Sequence, residues 1–238
     1  MFFQLFENVT EKDKSDAVEK LITQSSPRRD FFLLVILSIS MATFGIVLDS
    51  VVILIGSMLI APVLYPVISL AMGIVMHDKV LVSKSFFTLL KSIMYAVVAA
   101  TFISFLFLKF SHSGDPLVIK AIVDTEQSLI MYAIVAAIAG VAASFAMVKP
   151  NLNATIPGIA VSVSLVPPLA AIGYGISKFN WTFITNFSLL FLVNIAGIIF
   201  SSLVVFSFFD FRDKQKVAAK SIQKEERILE KENNTEVE

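Results

Sequence analysis

Prolines and hydroxyls supply the only residue pattern in this chain that could carry chemistry. Between Asp49 and Asp78 there is no Asp, Glu, Lys or Arg, yet Pro62 and Pro66 sit in the stretch with Ser57, Tyr65 and Ser69. Farther on, Pro167 and Pro168 follow Ser162 and Ser164. A proline inside a helix removes a backbone donor, and its ring clashes with the carbonyl four residues back. In hydrocarbon the freed backbone groups need partners, so such breaks belong where a helix faces protein or water. Half-helix N-termini there favour anions, freed carbonyls favour cations, and hydroxyls can complete a coordination shell. The plain alternative is that each serine bonds back to its own helix and the prolines only kink it.

Other polar residues offer less. Asp49 borders the broken stretch and could hold a coupling proton or sodium ion, or cap the helix that starts at Ser50. Asn194 lies deep in the last apolar segment, where its amide must bond a neighbouring helix or line a cavity. His77 and Asp78 fall at a span end, and Asn151 and Asn153 flank the entrance to another. Enzyme chemistry finds little support. His77 and His112 have no second histidine or carboxylate at metal-ligand spacing, and there is no G-x-S-x-G and no phosphate-cradling glycine loop. Ser57 and Lys91 could form an intramembrane serine and lysine pair, but nothing in the sequence brings them together. With no cysteine there is no thiolate nucleophile or thiolate metal site. The expectation is a non-enzyme without metal or cofactor.

The elements that must position these residues are membrane helices. Fifty-six per cent hydrophobic residues, 16% charged and a mean hydropathy of +0.82 exceed what a soluble domain of 238 residues can bury. A formal net charge of zero gives no field for nucleic acid. Residues 1–30 mix short apolar groups, including Phe2, Phe3, Leu5 and Phe6, with charges, unlike a cleavable signal peptide. Thr10 to Ile22 reads as a short capped helix. Six spans follow, at Phe31–Leu48, Asp49–Asp78, Ser85–Leu108, Ser128–Val148, Ala154–Ile176 and Trp181–Phe209. Lys79 to Lys84 reads as a basic loop, 109–127 as an extracytoplasmic loop with the turn signal Gly114-Asp115-Pro116, and 210–238 as a charged cytoplasmic tail. Ala136 and Gly140 have the spacing of close helix packing.

The spans fall into two repeats, 31–108 and 128–209. Ser57–Leu64 matches Ser162–Leu169 as S-x-x-aliphatic-small-P-x-L at an offset of 105. Three spans per half is an odd number, so a tandem duplication inverts the second half relative to the first. Arg28, Arg29, Lys79, Lys84, Lys149, Arg212, Lys214 and Lys216 fall on one side, against Lys109, Lys120 and Lys178 on the other. The positive-inside rule then makes both termini cytoplasmic.

G-S-M-L-I-A-P-V-L-Y-P-V at Gly56 to Val67, preceded by Asp49-Ser50, and P-G-I-A-V-S-V-S-L-V-P-P-L at Pro157 to Leu169 resemble the prokaryotic membrane family known as domain of unknown function 389. The resemblance covers about Phe31 to Phe209. It implies a multi-span fold and no particular activity. The combined expectation is an all-α multi-pass protein of a prokaryotic inner membrane, with helices two and five broken at proline. It would move a small solute or ion by alternating access at Ser57, Tyr65, Ser162 and Ser164, with an oligomeric channel or a non-transporting scaffold as rivals. Its expected partners are the bilayer, the solute or ion, and further copies of the chain.

Overall fold

The computed structural model describes residues 9–110, 129–156, 158–159 and 165–234, and no strand occurs among them. Helix α1 spans Glu11–Gln24. Thr10 accepts from the Asp13 N–H while the Asp13 carboxylate accepts from the Thr10 N–H, a reciprocal cap that fixes its start. Helix α2 covers Arg29–Val47, α3 Val51–Ile60, α4 Leu64–Val75 and α5 Lys79–Phe110. After 111–128, outside the described residues, come α6 at Leu129–Val148, a 3₁₀ turn at Pro150–Thr155, α7 at Val166–Ser177, α8 at Trp181–Phe209 and α9 at Gln215–Asn234.

Four of these helices, α2, α5, α6 and α8, are long and apolar enough to cross a bilayer. The pair α3 and α4, bent by 47° at its break, makes a fifth candidate. Their outward faces carry large apolar side chains, such as Leu33 and Leu37 on α2, Phe102 on α5, Ile138 on α6 and Phe200 on α8. Water would not tolerate such stripes, whereas lipid matches them. The Lys79–Lys84 segment, expected as a loop, is instead the start of the 32-residue α5. Asp78 explains the difference, because its carboxylate accepts from the N–H groups of Val80 and Leu81 and caps the helix there.

Directions follow from close contacts. Ser38 bonds the Ser57 carbonyl while Gly45 lies against Leu54, so α2 and α3 are antiparallel. Gly73 lies against Val82 and Ser69 against Ser85, so α4 and α5 are antiparallel too. Helices α6 and α8 run the same way, because Gly197 meets Ala136, Gly140 meets Ile198 and Ser201, and the Phe145 and Phe209 rings touch at 5.3 Å. Gly140 lets the two backbones meet, since a Cβ there would sit 2.9 Å from the Ile198 Cα.

One face of the bundle, the near face, gathers α1, α9, the α4–α5 turn and the end of α6. Gln215 donates to the Met76 carbonyl, and Val9 and Asp13 share a cavity with Lys149 and Asn151. Charges fasten this cap. Arg28 bonds both oxygens of the buried Glu225, to which Thr23 also donates, and Lys224 pairs with Glu19. Lys214 and Lys14 both donate to Glu11 and hold its carboxyl down to about 2. The far face carries the α2–α3 and α7–α8 turns, where Phe179 and Trp181 stand exposed like interfacial anchors.

Candidate functional site

The centre of the bundle holds two helices too short to cross it. Helices α4 and α7 are 12 residues each, about 18 Å at 1.5 Å per residue, against a hydrocarbon core of ~30 Å. Helix α4 ends at the near-face turn that Gln215 bonds, and α7 ends at the far-face turn into α8. Both therefore begin part-way across, one from each side. Neither has a side-chain cap at its start. Two positive dipole ends are thus held at membrane depth.

The prolines make this tolerable. Pro62 lies in the turn between α3 and α4, where its missing N–H ends the α3 ladder. Pro66 is the third residue of α4, and Pro167 and Pro168 are the second and third of α7. At those positions the missing donor would have been an orphan, so each ring removes an unsatisfied N–H instead of breaking a bond. Only Pro62 thus acts as a breaker in the way the sequence predicts for both prolines of the stretch.

The bounds of the two short helices correspond at an offset of 102 (64 to 166, 75 to 177), and the next helices start at the same offset (79 to 181). Pro66 thereby matches Pro168, three residues away from the register of 105 expected from the serine motif. The turns that follow match as well. His77 and Phe179 both sit in the left-handed region, at φ 56° and 53°. The next N–H returns to a glycine carbonyl in each, Asp78 to Gly73 and Asn180 to Gly175, and Asp78 and Asn180 cap the following helix. Asp49 at φ 52° and Ser50, whose N–H reaches the Gly45 carbonyl, repeat this turn at the end of α2. The cap of α3 is therefore Ser50, which accepts from Ile53, while Asp49 occupies the position before it.

The expected contact residues are distributed as follows. Ser57 is fully buried, donates to its own Leu54 carbonyl at 2.6 Å, and its carbonyl accepts from Ser38. Tyr65 is partly buried in the first turn of α4. Ser69 is fully buried and accepts from Ser25 at 3.2 Å and Ser85 at 2.9 Å, which stitches α4 to the α1 end and to α5. Asn194 is buried within α8. Pro157, Ser162, Ser164 and His112 lie outside the described residues. Sequence reasoning passed over Ser104, Ser144 and Ser202, buried on α5, α6 and α8 with no hydrogen-bond partner among the described residues. Such orphan hydroxyls cost about 1–3 kcal/mol each unless water or a ligand meets them. A hydroxyl on an apolar helix gives no hint in sequence of which way it faces. Among the described residues, no group of three His, Asp or Glu could hold a metal ion.

The sequence profile of a family described as a domain of unknown function (DUF389) matches residues 58–200, a range that takes in both short helices. An uncharacterised protein of Methanocaldococcus jannaschii is 29% identical over 208 residues, 84% of this chain and 63% of that protein. The chain thus spans less than two thirds of that relative's length. No solved structure matches the chain.

Proposed function

The chain belongs to the DUF389 family, and on that premise we propose that it is a six-span transporter of two inverted three-helix repeats, which moves a small solute or ion by alternating access between its half-helices. The observation that carries this reading is the pair α4 and α7, equal in length, uncapped, opened by proline and entering from opposite faces. Discontinuous helices in corresponding positions of inverted halves are where transporters build midplane sites. Their N-termini favour an anionic group on the solute, and the last carbonyls of α3, released by Pro62, favour a coupling cation.

Three further observations support it. Helices α6 and α8 run the same way, α6 ending at the near face and α8 starting at the far-face turn that follows α7, which supports a crossing between them. Contacts survive exchange of the halves: α4 packs on α8 as α7 packs on α5, and α4 touches α6 as α7 touches α2. The offset of 102 holds through helix, turn and next start. Arg28, Lys84, Lys149 and Lys214 on the near face support a cytoplasmic assignment for it, in a prokaryotic inner membrane. The apolar outer faces of α5 and α6 would meet lipid or further copies of the chain in an oligomer.

Reconstituted protein tests this reading directly. Saturable uptake of one solute from an anion and small-metabolite panel, coupled to a counter-ion, is the expected result. Unsaturable current without coupling would make the same helices a channel filter. Neither flux nor current across the panel would overturn transport and favour a scaffold.

A further inference from the structure

A second cavity lies between the α1–α2 link, the start of α5 and α9. Its volume is about 160 Å³, well beyond the ~10–15 Å³ that one water needs on the same measure. Ser26, Lys84, Thr88, Lys91 and Glu225 are among its polar lining residues, in a lining that is otherwise mainly apolar. Glu225 is already satisfied by Arg28 and Thr23, and Lys84 by Glu226. Lys91 pairs with no carboxylate among the described residues. The Ser26 hydroxyl is buried, with the residue only 6% exposed, and has no partner among the described residues. An unpaired cation and an orphaned donor lining the same cavity suit an anion with several acceptor oxygens.

Depth and surroundings narrow the source. Lys91 follows Lys84 by two helical turns, about 10 Å deeper along α5 at 1.5 Å per residue. Phe87, Leu90 and Met94 beside it point outward with more than half of each side chain exposed. A headgroup seated in the cavity would therefore have its chains against an apolar helix face. We propose that this cavity binds a phosphate group, presented by an anionic phospholipid of the near-face leaflet, through Lys91 and Ser26. Ser25 and Ser85, which also line it, both donate to Ser69 on α4, so an occupant touches the residues that hold one half-helix in place.

The test uses the full chain in detergent and reads its thermal unfolding midpoint against dioctanoyl phosphatidylglycerol, dioctanoyl phosphatidylcholine and inorganic phosphate. Phosphatidylglycerol should raise the midpoint. The concentration for half the shift should rise at least about fivefold in Lys91→Gln and in Ser26→Val, and stay unchanged in the far-face control Lys178→Gln. Should Ser26→Val fail to fold, the exposed Lys91→Gln decides alone. A shift from inorganic phosphate that is equally sensitive to Lys91→Gln would keep the site and make its ligand a free anion. A phosphatidylglycerol shift that Lys91→Gln leaves untouched, or equal shifts with phosphatidylcholine, would overturn the proposal.

Discussion

Helices α4 and α7 have the same length, the same proline at the third position and the same exit turn, yet they are held in different ways. Helix α4 is stitched by directional bonds, Ser69 accepting from Ser25 and Ser85, and through Ser25 it is joined to the charged cap. Among the described residues, helix α7 is seated chiefly by close packing. Ten of its residues are buried, and Gly173 lies so close to Ala100 and Thr101 of α5 that a Cβ there would collide with the α5 backbone. One motif used twice has thus been given two kinds of attachment. Hydroxyl bonds can be exchanged for others, whereas close-packed backbones slide or separate but do not adjust in small steps. The contrast predicts that α4 answers to chemistry at the near face and α7 answers to volume.

The largest expected effect is at the packed contact. Gly173→Leu should cost roughly 3 kcal/mol or more through overpacking against backbone, seen as a steep fall in the unfolding midpoint and loss of any uptake. A mild effect there would break the contrast. Arg28→Met strands the buried Glu225 carboxylate and should cost about 3 kcal/mol, the low end for a buried pair because Arg28 is partly exposed. Hydrogen exchange should then rise across 64–75 and stay unchanged across 166–177; equal rises in both would show that the cap holds the whole bundle. Ser69→Ala removes the acceptor shared by Ser25 and Ser85, for about 1–2 kcal/mol, with the same one-sided exchange signature. The smallest effect is that of pH on the cap. Glu11 titrates at about 2 in the fold against an ordinary 4.5. A depressed carboxyl stabilises fully above its unfolded value, so the Glu11 contribution should be complete above pH 4.5 and fade as pH falls toward 2. Glu11→Gln should flatten that part of the midpoint-versus-pH curve.

Much of the frame was legible because lipid imposes a simple rule. Span six, Trp181–Phe209, agrees with α8 at both ends, and spans one and four agree with α2 and α6 within two residues, since uncharged length alone defines them. Lys79–Lys84 misled because charge marks the membrane border and not the helix end, and α5 projects past the border with Asp78 as its cap. The correspondence between the two proline-bearing stretches was visible, but its register was not. The motif around Ser57 and Ser162 suggested 105, while the recurring Gly-Ile-Val-Met-His-Asp and Gly-Ile-Ser-Lys-Phe-Asn at 73–78 and 175–180 carries the observed 102. Those hexapeptides were readable as turns, since a glycine carbonyl, a left-handed residue and a capping side chain recur in order. The site was less accessible. That Ser57 bonds its own helix while Ser69 gathers two partners depends on which way α1 and α5 approach, and no local pattern encodes that. Nor did sequence name the partner of α9: Ala218, Ile222 and Leu229 share one helical face by their spacing, but that periodicity does not say that the face packs on α1.

The bond between Thr23 and Glu225 joins residues 202 positions apart. Ribosomes add about 5–20 residues per second, so α1 waits roughly 10–40 s for its partner while every span between them enters the lipid. During that interval Arg28 has no Glu225 to pair with, and Ser25 belongs to a helix with no lid. The cap can form only once α9 has been made. A chain cut short before Gln215 would leave Arg28 and Lys84 on the near face without the two carboxylates, Glu225 and Glu226, that neutralise them.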